Sequence, residues 1–279
     1  MCGIYGLKPT YGLVSTYGIF PSAWSLDHAG PMARSVSDLA LMLQHMAGFD
    51  SNDPASLNVP LPNYTENLRK DIAGIKIGIP TYYLEGLDPD VATLFNHAVS
   101  QLAGLGAELI EIDIPELSLT TFAGYIIVSG EASAFHYDWL QHAPEAYATD
   151  NRITLLSGTL SYAPDYVKAQ QARRLMVKAF HKAFETVDVL LGPTIPITTP
   201  AFAEQWVSQN LEVIRRCLPY TAPANLTGTP SLAVPMGLDR HGLPAGMQFI
   251  GNHLSEKLLL QVGAAWESVN PLGFHIGKA

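Results

Sequence analysis

The chain has 279 residues, 48% of them hydrophobic and 15% charged, with a formal net charge of −9. The length predicts one large domain or two modest ones, and the acidic balance argues against a nucleic-acid scaffold, which shows a basic face. No apolar run reaches the ~20 residues of a membrane span, and no basic stretch leads into a long apolar one at the start, so a cytoplasmic protein with no membrane partner is expected.

The opening "CGIYGL" is small and apolar and reads as protein interior; residues 3 to 7 are a short buried strand or its exit. A long loop rich in Gly, Pro and Ser follows, and loops of that length tend to be functional. Ser35 caps a helix through "VSDLALMLQHMAG", which Gly48 ends. Residues 49 to 73 are polar and Pro-bearing, a surface connection. "GIKIGIP" (74 to 80) is a strand. The next segment is a helix with Asp88 at its N-cap and Pro89 in its first turn, closed by Gly104 and Gly106. "AELIEIDIP" alternates and is the next strand, so the strand–helix–strand order predicts a parallel pair.

From 117 to about 185 the pattern is helical, broken near Pro144 and Ser157–Gly158. Its last helix shows an apolar stripe through Val167, Leu175, Val177, Phe180 and Phe184. "DVLLGPTIP" holds a buried strand stopped by Gly192–Pro193. "SLAVPMG" and "AGMQFIG" flank "LDRHGLP" as a β-hairpin, and a final amphipathic helix starts at Ser255. The elements predict an α/β protein in three layers: a mixed, largely parallel sheet flanked by helices, with 1–279 as a single domain.

Cys2 and Cys217 are too few for a disulfide framework and are expected to be reduced and buried. There is no Ser in a nucleophile elbow, no Ser followed three residues on by Lys, no His-Glu-x-x-His and no phosphate loop. No metal or cofactor is expected. "GLGAEL" follows a helix and opens a strand, the reverse of a dinucleotide site. His136, alone on a helix, reads as a satisfied structural residue. Asp27 is expected to pin the long loop, and Arg34 to pair with Asp38 four residues on.

The run "CGIYGLKPTYGLVSTYGIFPSAWSLDHAGPMARSVSDLALML" resembles the segment that follows the catalytic serine in the amidase signature family. "DVLLGPTIP" and "PANLTGTPSLAVPMGLDRHGLPAGMQFIG" resemble later segments of that family, in the same order. The resemblance extends from Cys2 to about Trp266. It implies the family's α/β/α fold and cleavage of carboxamides by a Ser–Ser–Lys triad, and it places all three triad residues ahead of Met1. The chain is then the C-terminal part of an amidase, inactive alone. A serine needs an adjacent base to act as nucleophile, and nothing in these residues replaces that base. Lys8 is the tempting substitute, but its place in "GLKPT" implies a structural role.

The pocket is what the chain can contribute. Candidate substrate-binding residues are Tyr125 and Ile126 on the apolar helix, Thr194 and Ile195 after "DVLLG", and Leu218, Tyr220 and Asn225 in "CLPYTAPANLTG". Plain core is the commoner role for Tyr125 and Ile126, and Asn225 is expected to bond its own turn. The partner expected is a small amide, and a homodimer is an open option. Within the resemblance, the amidase subunit of glutamyl-tRNA(Gln) amidotransferase needs an acid to hold the ammonium of glutamine. The matching position here is Leu218, which favours a hydrolase of neutral amides. A non-catalytic remnant of a truncated amidase gene is the third alternative.

Overall fold

The computed structural model describes residues 2–66, 68 and 71–271. Seven described strands form one open mixed sheet in the order β2-β1-β6-β7-β5-β3-β4. They are β1 (Tyr5–Lys8), β2 (Met32–Ala33), β3 (Lys76–Pro80), β4 (Glu108–Ile112), β5 (Val189–Pro193), β6 (Ser231–Leu238) and β7 (Pro244–Gly251). The β3–β4 pair is parallel, as the intervening helix requires, and β3–β5 is parallel too. The other four junctions are antiparallel, so the parallel share is smaller than expected. The β6–β7 hairpin accounts for this: its tight turn forces antiparallel pairing, and β5 and β1 add to its two sides.

The helices lie in two layers. On one face α1 (Val36–Met46), α2 (Pro89–Gly104) and α9 (Glu256–Val269) cover Ile77, Ile79, Val189, Leu191, Leu232, Val234, Met247 and Phe249. On the other are α3 (Thr120–Phe135), α4 (Tyr137–His142), α5 (Thr149–Thr159), α6 (Ala163–Ala183), α7 (Trp206–Thr221) and α8 (Pro223–Thr227). There Leu190 and Ile250 meet Phe180, Tyr220 and Ala224. A further cluster joins α3, α6 and α8 to Ala23 and Leu26 of the long loop.

Local signals hold where no long-range partner competes. The Ser35 Oγ accepts the N–H of Asp38 at 3.1 Å and caps α1. Asp88 precedes α2 but does not cap it: its carboxylate takes Arg216 at 3.0 Å and the Thr198 N–H at 3.3 Å. A charged partner binds the carboxylate more strongly than a neutral backbone N–H does. The Ser255 hydroxyl donates to the Asn252 carbonyl at 2.6 Å and leaves α9 without a side-chain cap. Arg34 and Asp38 are not among the ion pairs of the described residues. Arg34 sits ahead of the cap, so helical i,i+4 geometry does not apply to it.

The α6 face differs from the expected stripe. Val167 and Leu175 are each 54% exposed, and the buried line is Ala169, Ala172, Met176, Phe180 and Ala183. Small side chains let α3 approach closely, and that packing decides which face turns inward. The connection 49–73 carries no helix or strand among its described residues, yet Tyr64 and Ile72 plug the first core. Gly12, at φ +81°, lies against it: a Cβ there would run into the Ala55 carbonyl oxygen. α7 has no counterpart in the sequence reading, because only Tyr220 of its residues is buried. Cys217 is partly buried and Cys2 is exposed rather than buried, both as free thiols. No helix of the described residues is long and apolar enough to cross a membrane.

Candidate functional site

The long loop between β1 and β2 is fixed from three sides. Asp27 accepts the N–H groups of Ser22 at 2.8 Å and Ala23 at 3.0 Å, closing the loop on itself as expected. Glu131 on α3 accepts the Ser25 hydroxyl at 2.6 Å, the Ser25 N–H at 3.0 Å and the Tyr166 hydroxyl at 2.8 Å. Arg173 on α6 donates to Ser25 and to the Leu226 carbonyl. Burial draws the Arg173 guanidinium below its ordinary value, with Glu131 opposing that shift.

Beside this loop, α3, α5 and α7 enclose a cavity of about 460 Å³. Phe20, Pro21 and Ser22 form one wall, Gly124, Tyr125, Val128 and Ala132 another, and His136, Tyr147, Leu155, Ile214 and Leu218 complete most of the rest. Among the described residues no Asp, Glu, Lys or Arg lines it. Tyr125 and Leu218, 93 positions apart in numbering, are brought together here. The Ser157 hydroxyl donates to the Thr154 carbonyl at 2.7 Å, so the Tyr125 hydroxyl donates to Ser157 Oγ at 2.9 Å. Both ring nitrogens of His136 are occupied, by Tyr147 at 2.9 Å and the Pro21 carbonyl at 3.2 Å.

A second cavity, of about 330 Å³, opens over the β1–β6 end of the sheet. Lys8, His28, Asn225, Ser231 and Gln248 line it. The Lys8 ammonium donates to the carbonyls of Thr229 at 2.6 Å and Pro9 at 3.3 Å. Burial pulls it down to about 7, with the Glu256 carboxylate opposing. The His28 Nδ1 donates to the Leu26 carbonyl at 2.6 Å. Its Nε2 is then a lone-pair acceptor, buried and without a partner among the described residues. Burial and the nearby Lys8 hold His28 at about 3, so the ring is neutral. Asn225 reaches across the chain to the Leu26 carbonyl at 2.9 Å instead of bonding its own turn.

The remaining candidates lie elsewhere. The Tyr220 ring stacks on Tyr83 at 5.4 Å and its hydroxyl donates to the Glu85 carbonyl at 3.0 Å, which places it in the core between sheet and helices. Burial pushes that phenol up to about 12. Ile126 packs with the cluster that joins α3 to the long loop. Thr194 and Ile195 follow β5, with the Thr194 N–H on the Gly246 carbonyl at 2.9 Å and its hydroxyl oxygen buried without a partner among the described residues. Phe20, Tyr147, Ile214 and His28 were not anticipated as lining residues. Each comes from a different segment, and no local pattern marks it. Among the described residues no group of three or more His, Cys, Asp or Glu is placed to hold a metal.

The amidase family profile matches residues 1–260. The chain belongs to the amidase signature family. Within that family it is 40% identical over 273 residues to an amidase of Pseudomonas putida, covering 96% of this chain and 58% of that protein. It is 42% identical over 295 residues to the amidase-type subunit of the glutamyl-tRNA(Gln) amidotransferase of Cyanothece sp., covering 97% and 61%. Its fold superposes on the crystal structure of the corresponding Thermotoga maritima amidotransferase subunit with a TM-score of 0.83 at 30% identity, over 97% of this chain and 59% of that one. The chain thus spans about three-fifths of the length of these amidase signature relatives.

Proposed function

We propose that the chain forms the substrate pocket of an amide hydrolase acting on small neutral carboxamides with aromatic or aliphatic groups. In this reading the Ser–Ser–Lys groups come from sequence ahead of Met1, and the 279 residues alone are inactive. The observation that carries it is the 460 Å³ cavity with no charged side chain among the described residues of its wall. Such a cavity favours apolar groups and offers nothing to the ammonium or carboxylate of a free amino acid. Tyr125 and Leu218 form the wall. Tyr220 and Ile126 support it from the core behind. Thr194, Ile195 and Asn225 border the scissile amide. The protein works in the cytoplasm as a single α/β domain, with no nucleic acid or membrane partner.

The 42% identity to a glutamyl-tRNA(Gln) amidotransferase subunit supports a second reading, in which glutamine is the substrate. One assay separates the two. Steady-state kcat/KM of the complete protein is measured for benzamide, hexanamide and glutamine. The hydrolase reading expects both neutral amides to exceed glutamine by well over tenfold. Glutamine as the best of the three overturns it.

A further inference from the structure

One polar pair stands in the apolar wall of the 460 Å³ cavity: His136 and Tyr147. The His136 Nε2 lies 3.2 Å from the Pro21 carbonyl oxygen. A carbonyl only accepts, so Nε2 carries the ring proton. In the neutral imidazole Nδ1 is then the lone-pair nitrogen, and the Tyr147 hydroxyl 2.9 Å away donates to it. That hydroxyl proton is committed. The oxygen keeps its lone pairs, and no described group donates to it.

The other hydroxyls of the wall are committed in the same sense. Tyr125 donates to Ser157, and the Thr154 hydroxyl donates to the Asp150 carbonyl at 3.2 Å. The enclosed part of the cavity therefore offers hydrogen-bond acceptors and few protons. Ser22 and Asn151, which hold uncommitted side-chain donors, are both exposed. Aromatic edges surround the acceptor: Phe20 lies 5.0 Å from His136, and His136 meets Tyr147 edge-on at 5.5 Å. Edge and face contacts of this kind suit another ring.

We propose that this cavity takes an aromatic ring bearing a hydrogen-bond donor, a phenol or an aniline, with its O–H or N–H on the Tyr147 oxygen. The proposal rests on the reading of the cavity as the substrate wall and names the class within it: carboxamides that carry a hydroxyaryl or aminoaryl group.

The test uses the 279-residue chain and three probes, phenol, anisole and toluene, followed by the fluorescence of Trp139, which lies 5.9 Å from His136. Competition with toluene assigns all three to one site. Phenol is expected to bind ~5-fold more tightly than anisole, the effect of one neutral hydrogen bond. In Tyr147→Phe that ratio falls to about 1 on the same grounds, while toluene binding is unchanged and certifies the fold. Equal binding of phenol and anisole to the native chain overturns the donor assignment and leaves the cavity reading standing, since toluene still binds. A phenol preference that survives Tyr147→Phe places the acceptor elsewhere and also overturns it. Failure of all three probes to bind removes the cavity reading and the proposal together. The native phenol-to-anisole ratio requires no variant, so it decides the matter even if Tyr147→Phe does not fold.

Discussion

The guanidinium of Arg173 donates to the hydroxyl of Ser25 at 3.1 Å and to its carbonyl at 3.0 Å, across 148 positions of sequence. The same side chain holds the Leu226 carbonyl at 2.7 Å. One residue of α6 therefore sets the distance between the long loop and α8, and with it one wall of each cavity. A lysine has one nitrogen and no fork, so it cannot make these contacts together. Arg173→Lys is expected to lower stability by ~1–3 kcal/mol. Hydrogen exchange at residues 20–30 should accelerate more than exchange in β5. Uniform acceleration would show that the guanidinium holds nothing local.

Lys8 makes stability depend on pH in a direction opposite to that of an ion-paired lysine. Its folded value is about 7 and its ordinary value is 10.5. Between those two values the unfolded chain binds more protons than the folded one, so stability rises with pH across that window. Below pH 7 both states are protonated and the penalty of burying the charge is present in full. A neutral amine still has two N–H groups for the Thr229 and Pro9 carbonyls. Melting temperatures of the native chain and Lys8→Met are compared from pH 7 to 10. The native curve should climb relative to the variant, and parallel curves would contradict the buried charge.

Gly158 marks the closest approach of α5 to α3. A Cβ at this position would run into the Ser129 carbonyl oxygen and Ser133 Oγ. Backbone cannot step aside as a flexible side chain can. Gly158→Ala is expected to cost at least ~1–3 kcal/mol, the usual range for overpacking, despite the better helix propensity of alanine. Denaturant unfolding monitors it, and a variant as stable as the native chain would mean that α5 moves away freely.

Gln248 joins three strand ends. Its Nε2 donates to the Tyr220 carbonyl at 2.8 Å, and its Oε1 accepts the Ser231 hydroxyl at 3.1 Å. The side chain is buried. Gln248→Leu keeps the volume and orphans both partners, for a loss of ~1–3 kcal/mol. The double variant with Ser231→Ala should recover part of that loss in a thermal melt, because one orphan is removed. Additive losses would argue against the bond.

Exposed apolar side chains gather on the long loop and the adjoining edge strand: Tyr17, Phe20, Trp24 and Met32 are each 64–68% exposed. Contiguous patches of this kind favour association. The 279-residue chain is expected to self-associate in sedimentation at tens of micromolar, and Trp24→Ser with Met32→Ser should shift it toward monomer. A sharp monomer boundary for the native chain at that concentration would refute this.

Local pattern in the sequence was enough for the α/β class, the β6–β7 hairpin, the parallel β3–β4 pair and the Ser35 cap, because alternation, turn residues and a capping hydroxyl act within a few residues. The motifs from "GLKPTYG" to "GMQFIG" also carried the family. Nothing local fixed the rest. Asp88 and Asn225 abandoned their nearby partners for Arg216 and Leu26 because charge and burial favour the distant bond more. The inward face of α6 was chosen by the small side chains that let α3 approach. α7 shows no apolar run because its role is to stand over a cavity, with Leu218 turned toward Tyr125 and only Tyr220 sunk in the core. The pairing of His136 with Tyr147 and the unpartnered Nε2 of His28 exist only where the long loop, α3 and α8 converge. A hydrogen bond between segments more than a hundred residues apart leaves no period in the sequence, so only the packed structure determines it.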